Sequence, residues 1–158
     1  HWKRQKRFEL LQHQLREGKD LANEVTQLLN RRFFALQRLL WAIGDNSSEV
    51  DQMWKTYYDD VIRWNQNLNS MLIRTRLFAG VEVAQLLVND ADLGSQGPFK
   101  SIHYGMRHLH HRVLTAKRNG LAPDTRNSIE ADVAQVNDLI QRFQNKLLDR
   151  LLYHSDWR

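Results

Sequence analysis

Apolar side chains recur at alternating spacings of three and four residues along most of this 158-residue chain. Near the N-terminus the pattern holds over five heptads, at Phe8, Leu11, Leu15, Gly18, Ala22, Val25, Leu29, Arg32, Leu36, Leu39 and Ile43. Such spacing places one seam along the face of a helix, whereas a half-buried strand alternates every second residue. The chain is therefore predicted to be all-α, beginning with a long helix from about Lys6 to Ile43.

Three further segments carry the same alternation. Their seam positions are Val50, Trp54, Tyr57, Val61, Trp64, Leu68, Met71, Thr75 and Phe78; Phe99, Ile102, Met106, Leu109, Val113 and Ala116; and Ile129, Val133, Val136, Ile140, Phe143, Leu147 and Leu151. Turn-forming stretches at 44–48, 95–98 and 119–123 separate these segments, and Pro98 is expected in the first turn of the third helix. We predict one domain, residues 1–158, folded as an antiparallel up-down-up-down four-helix bundle. A short extra helix at 81–93 is expected between the second and third helices.

The residue types that usually carry out catalysis or bind metals form no recognised motif in this chain. The chain has no cysteine, so it has no disulfide, thiol nucleophile or thiolate metal site. It also lacks the Glu-x-x-His motif of di-iron bundles. Four histidines fall in the third predicted helix, but Arg107 and Arg112 occupy the positions four residues after His103 and His108. We therefore predict no enzymatic activity, no metal and no cofactor.

The third predicted helix is strongly basic, with five cations and no acid between residues 95 and 120. Several of its charged side chains fall opposite the apolar seam. We call Lys100, Arg107, His108, His111 and Arg118 the basic stripe. A stripe of this kind can bind a phosphate, an anionic lipid or an acidic protein. The alternative interpretation is a solvated face beside the acidic second helix.

A second basic group stands at the start of the chain. The basic N-terminal segment, residues 1–7, contains Trp2, Lys3, Arg4, Lys6 and Arg7. A tryptophan followed by cations is typical of the cytoplasmic flank of a membrane helix. On that hypothesis about 20 apolar residues would precede His1. The C-terminal Trp157 and Arg158 would lie near the same end of the bundle. An ordinary charged helix start and a nucleic-acid-binding arm are the alternatives.

One seam position of the first helix is a cation. If the first turn centres near Asn46, Arg32 lies level with Asp60, and Arg31 with Asp59. We therefore predict a structural ion pair between Arg32 and Asp60, or failing that Asp59. A paired charge in a core costs stability relative to apolar packing but can fix the register of two helices.

The second predicted helix contains a polar stretch at 64–69 with three asparagines. Asn65 and Asn69 are expected to form bonds between helices or to line a small pocket. Together with the residues up to Gly80, the stretch from Trp64 resembles uncharacterised bacterial proteins that carry a single N-terminal membrane anchor. That resemblance covers about 20 residues, contains no catalytic motif and implies only a membrane-anchored location.

These observations favour a non-enzymatic helical interaction domain, tethered at its N-terminus to the inner membrane of a bacterium and facing the cytoplasm. A protein or an anionic membrane surface is the expected partner. A free cytoplasmic location is the alternative. Two other functions remain open: nucleic-acid binding through the basic stripe, and ligand sensing through a pocket lined by Tyr57, Tyr58, Trp64, Asn65 and Asn69.

Overall fold

The computed structural model describes residues 1–155, and these are all-helical, as the heptad pattern predicts. Five α-helices are present in this range: α1 at Trp2–Gly44, α2 at Val50–Ala79, α3 at Val81–Leu87, α4 at Ile102–Asn119 and α5 at Pro123–Ser155. A single 3₁₀ turn, Asp90–Asp92, lies between α3 and α4. Within residues 1–155 no helix has the length and apolar character needed to cross a membrane.

The connections follow the turn chemistry of the sequence. Between α1 and α2, Asn46 adopts a left-handed backbone with a φ of 52°, and the Ser47 hydroxyl accepts a hydrogen bond from the backbone N–H of Glu49 at 3.1 Å. Gly80, with a φ of 95°, ends α2 and starts α3. A residue with a Cβ rarely adopts these angles, so the glycine permits the abrupt change of direction.

The connection between α3 and α4 differs from the predicted one. The extra helix ends at Leu87 rather than continuing to Leu93, and α4 begins at Ile102, four residues after Pro98. Asp92 explains the delay, because its buried carboxylate accepts hydrogen bonds from the backbone N–H groups of Lys100 and Ser101. It also accepts one from the Ser101 hydroxyl, at 2.7 Å. These bonds hold residues 100–101 in the loop rather than in the helix.

Most of the core lies along α1, whose buried residues run from Gly18 to Ile43. This helix packs mainly against α2 and α5, while α4 packs mainly against α5. The largest fully buried side chains are Trp64, Tyr57 and Phe143. Two glycines mark close approaches between helices. A side chain on Gly18 would meet the ring of Phe78, and one on Gly105 would meet a methyl group of Val136.

The first part of α1 lies outside this core. Every residue from 1 to 10 is exposed, Leu11 and Leu15 are half-buried, and Gly18 is the first buried residue. At about 1.5 Å per residue, the exposed stretch is about 15 Å long. It contains the basic N-terminal segment. Trp157 and Arg158, which were predicted to lie near it, fall outside the described residues.

The contact at Gly105 can be tested with Gly105→Leu. We expect this variant to lose about 1–3 kcal/mol of unfolding free energy, because added atoms would force α4 away from Val136 of α5. Thr115→Leu, on an exposed position of the same helix, is the matched control and should change stability little. Urea denaturation measures both, and equal effects would show that α4 and α5 are not in close contact at Gly105.

Candidate functional site

The predicted ion pair between Arg32 and Asp60 is not formed. Arg32 is buried, with 3% of its surface exposed, and its guanidinium interacts with Tyr57 of α2. Asp60 instead lies 4.0 Å from Arg63 and lines a groove on the outer side of α1 and α2 with Arg31. The error has a geometric cause. Consecutive helical residues point about 100° apart, so Arg31 faces that groove while Arg32 faces the core.

Arg32 belongs to a group of polar and aromatic side chains that come from three helices. We call Arg32 of α1, Tyr57 and Trp64 of α2, and His103 and His110 of α4 the Arg32 cluster. The Tyr57 hydroxyl lies 2.9 Å from Nδ1 of His110, and Nε1 of Trp64 donates to Nδ1 of His103 at 3.4 Å. The two histidines are seven residues apart, which is two helical turns, so both face α2 from the same side of α4.

Burial and nearby cations keep both imidazoles neutral. Burial is the main cause that lowers the pKa of His103 and of His110, and the nearby charge of Arg32 lowers each further. Arg107 adds to the effect on His103, and His111 to the effect on His110. Both rings are therefore neutral at pH 7. Because Nδ1 of His103 accepts the hydrogen bond from Trp64, the His103 ring carries its proton on Nε2, where it can serve as a donor.

Tyr57 is also held in its neutral form. Burial raises the pKa of its hydroxyl to about 12, an effect that the charge of Arg32 partly opposes. An intact hydroxyl can donate its proton to His110 and still accept a hydrogen bond from Arg32 through an oxygen lone pair. The result is a polar chain from α1 through α2 to α4.

The guanidinium remains incompletely satisfied despite this chain. Its Nε and Nη1 atoms are buried and have no hydrogen-bond partner among the described residues. No carboxylate of residues 1–155 forms an ion pair with Arg32, whereas the acids nearer α4 are already engaged. Burial accordingly lowers the pKa of Arg32. An uncompensated buried cation normally costs several kcal/mol, so this is the least balanced charge in the core.

The outer side of the cluster lies along the seam between α2 and α4. These two helices meet through side chains rather than through close backbone contact. Half-buried Trp54 and exposed Tyr58 stack with ring centroids 6.1 Å apart, and Trp54 lies 5.7 Å from His110. Nζ of Lys117 lies 5.6 Å from the centroid of Trp54. Aromatic rings and a cation therefore border the cluster on its outer side.

The sequence contains signals for this site that the ion-pair prediction overlooked. Tyr57 and Trp64 occupy seam positions of the second predicted helix, and a hydroxyl or indole N–H in a core needs a partner. The two histidines beside the seam of α4 could supply those partners. Only the three-dimensional arrangement shows that Arg32 lies among them.

Acidic side chains of neighbouring helices engage part of the basic stripe and of the surface around it. Lys100, Arg107, His111 and Arg118 are exposed, in agreement with their positions opposite the seam. His108 is half-buried and its Nε2 lies 3.0 Å from a carboxylate oxygen of Asp132 on α5. The same oxygen binds Arg112 at 2.7 Å, and Lys117 pairs with Asp51 of α2 at 3.5 Å. Acids from neighbouring helices therefore neutralise part of this surface.

The predicted ligand pocket is not formed. Tyr57 and Trp64 are buried in the core, whereas Tyr58, Asn65 and Asn69 are exposed. The two groups lie on different faces of α2, so they cannot line one cavity. The prediction that Asn65 and Asn69 are buried and bonded between helices is wrong for the same reason.

The basic N-terminal segment forms the first two turns of α1, and all its residues are exposed. Nζ of Lys6 lies 4.1 Å from the centroid of the Trp2 ring, within the range of a cation–π contact.

The described residues contain no group of three or more histidine, aspartate or glutamate side chains placed to hold a metal ion.

The cost of burying Arg32 can be measured by replacing it with an apolar residue of similar length. In a low-salt buffer without oxyanions, Arg32→Met should raise the free energy of unfolding by about 1–3 kcal/mol, because it removes an unpaired buried charge. Arg31→Met, at the exposed neighbouring position, is the control and should stay within about 0.5 kcal/mol of the parent. A large loss of stability in Arg32→Met alone would mean that the guanidinium has a compensating partner.

The lowered histidine pKa values predict a pH dependence of stability. The contribution of the neutral imidazoles is fully present above their unfolded pKa of about 6.5 and is lost as the pH falls below it, because the unfolded chain then binds more protons. The double variant His103→Gln/His110→Gln should flatten this loss. Urea denaturation between about pH 5 and pH 8 tests it, with exposed His13→Gln as control. An unchanged pH profile in the double variant would contradict the prediction.

Comparison of the chain with protein-family models, curated proteins and solved structures finds no match. The resemblance of residues 64–80 to membrane-anchored bacterial proteins therefore stays a prediction. The assignment of function consequently depends on the geometry and charge of the chain itself.

Proposed function

We propose that this chain is a non-enzymatic helical interaction domain that docks on an anionic membrane surface through its N-terminal end. In this proposal α1, α2, α4 and α5 form an up-down-up-down bundle, with α3 as a short extra helix. The membrane is the inner membrane of a bacterium, and the bundle faces the cytoplasm.

Contacts between the long helices support the antiparallel arrangement. Along α1 and α2, Gly18 lies beside Phe78, Glu24 binds Arg74 at 2.5 Å, and Arg32 reaches Tyr57. As the residue number rises along α1, the number of the contacting residue on α2 therefore falls. On α5, Leu151 lies near Gly18 and Arg126 lies near Gly44. The same reversal there is the one expected for antiparallel packing of α1 and α5.

The observation that carries the membrane proposal is the exposed start of α1. Within its first eight residues the chain has four cations, a tryptophan and no acid, and all of them are exposed. Cations are attracted to anionic headgroups, and the indole ring is suited to the membrane interface. Exposed Phe8, the last of these eight residues, and exposed Leu10 add apolar surface to the same end.

Nucleic-acid binding through the basic stripe is less well supported. Phosphate contacts require several free cations on one surface. Asp132 engages His108 and Arg112, and Asp51 engages Lys117, so three exposed Lys and Arg side chains of the stripe remain to contact a backbone. A side-by-side comparison of lipid and DNA binding distinguishes these functions.

The membrane proposal predicts salt-dependent binding to vesicles that contain phosphatidylserine. The triple variant Lys3→Gln/Arg4→Gln/Lys6→Gln should weaken binding by up to about 3 kcal/mol, at about 1 kcal/mol per charge. Co-sedimentation at low and high salt measures this change, with neutral phosphatidylcholine vesicles as the reference.

The matched control removes the same number of charges from the basic stripe, as Lys100→Gln/Arg107→Gln/Arg118→Gln. It should bind the anionic vesicles almost as well as the parent chain. Failure of the parent to sediment with anionic vesicles at low salt would refute the membrane proposal. Loss of duplex-DNA binding in the stripe variant, without any effect on lipid, would favour the nucleic-acid function.

A further inference from the structure

The buried charge of Arg32 lacks the counter-charge that a protein core normally provides. Two of its nitrogen atoms, Nε and Nη1, have no hydrogen-bond partner among residues 1–155, and its surface is 3% exposed. The interaction with the neutral Tyr57 hydroxyl supplies a dipole rather than a negative charge. Removing a guanidinium from water without an anion is costly, and an anion that enters the site recovers part of that cost.

We propose that the Arg32 cluster is a binding site for a small oxyanion, a phosphate or a carboxylate group, which contacts the Arg32 guanidinium and the imidazoles of His103 and His110. This proposal does not depend on the membrane function, since it uses different residues at a different place in the fold.

The hydrogen-bond donors of the cluster suit an oxyanion. Trp64 donates to Nδ1 of His103, and the Tyr57 hydroxyl and Nδ1 of His110 share a hydrogen bond. Neither bond uses an Nε2 atom, and Nε2 of His103 carries a proton because its Nδ1 is an acceptor. This N–H and the two unsatisfied guanidinium atoms offer donors to several oxygen atoms, and Nε2 of His110 adds another when it carries the proton of that ring. Charge-assisted bonds from a guanidinium to a carboxylate or phosphate are about twice as strong as neutral ones.

The surrounding charges favour an anion over a cation. The permanent positive charges near the histidines are Arg32 of α1 and Arg107 of α4. The acids that α2 and α5 bring near α4 are already paired, Asp51 with Lys117 and Asp132 with Arg112. An incoming oxyanion would thus meet uncompensated positive potential.

The seam between α2 and α4 supplies the route. His103 and His110 are half-buried, so part of each residue reaches solvent, and both lie close enough to Arg32 for its charge to lower their pKa. Side chains fill the space between the two helices, because Trp54, Tyr57 and His110 contact one another there. Side-chain rotation can open such a seam without moving either helix, which suits a ligand of a few atoms.

The test compares thermal unfolding of the parent chain in sodium phosphate, sodium acetate and sodium chloride at equal ionic strength. An oxyanion at ten times its dissociation constant should raise the Tm by roughly 3–6 °C above the chloride value. Arg32→Met should show no such difference. Phosphate also stabilises proteins without binding to them, so the relevant quantity is the difference between the parent and Arg32→Met.

A second measurement tests whether the anion binds at the Arg32 cluster. Titration of the imidazole resonances by NMR should show the pKa of His103 and of His110 rising when phosphate or acetate is added, because the anion offsets the charge of Arg32. Lys100→Gln/Arg118→Gln, which removes exposed cations instead, should keep both responses. If Arg32→Met does not fold, His103→Gln/His110→Gln replaces it and should reduce the Tm shift.

The outcomes distinguish a phosphate from a carboxylate group and can refute the proposed site. A response to phosphate alone would assign a phosphate group, and a response to acetate alone would assign a carboxylate. Equal Tm shifts in the parent and in Arg32→Met, or unchanged histidine pKa values in the parent, would refute the proposal. Loss of the response in Lys100→Gln/Arg118→Gln would place the anion on the basic stripe instead.

Discussion

Burial of the α1 seam is the constraint on which the other helices depend. From Gly18 to Ile43 this helix contributes ten buried residues and packs against α2 and α5 over most of that length. Burial of an apolar side chain is worth roughly 1.5–3 kcal/mol, so a seam of this length outweighs any single polar contact in the fold. The contact of α1 with α4 is smaller, because α4 packs mainly against α5. Burial of the seam decreases before Gly18, where Leu15 and Leu11 are half-buried, and residues 1–10 of the chain are exposed.

Most of the helical architecture could be predicted because it depends on periodicity. The seam positions Val25, Leu29, Leu36 and Leu39 are all fully buried, as are Met106, Leu109 and Val113 in α4. The start of α4 could not be predicted, because it depends on a tertiary bond network. The carboxylate of Asp92 binds the backbone of residues eight and nine positions further along the chain, and no local propensity signals such a contact. The preference of proline for a first helical turn was therefore overridden.

In the candidate site, too, the sequence pattern predicted which residue is buried but not which residue it contacts. Arg32 was correctly placed on the seam, and its burial follows from that position. Its partner was wrong, because counting residues from a turn gives the level of a side chain along the helices but not the direction in which it points. Asp60 lies on the groove side of α2 with Arg31, whereas Tyr57 lies on the core side. The prediction of interhelical bonds for Asn65 and Asn69 was wrong for the same reason, since both residues lie on the exposed face of α2.

The two positive centres of the chain are far enough apart to act independently. Arg7 and Arg32 lie on one continuous helix, and twenty-five residues at about 1.5 Å each separate them by about 38 Å. The screening length at physiological ionic strength is about 8 Å, so an anion at one centre contributes almost nothing to the potential at the other. Coupling between them would need a change in the packing of α1 itself. Because the exposed start of α1 lies outside the core, binding there can leave the seam undisturbed. An anion beside Arg32 acts within the seam, and its effect is therefore expected in the stability of the fold rather than in membrane affinity.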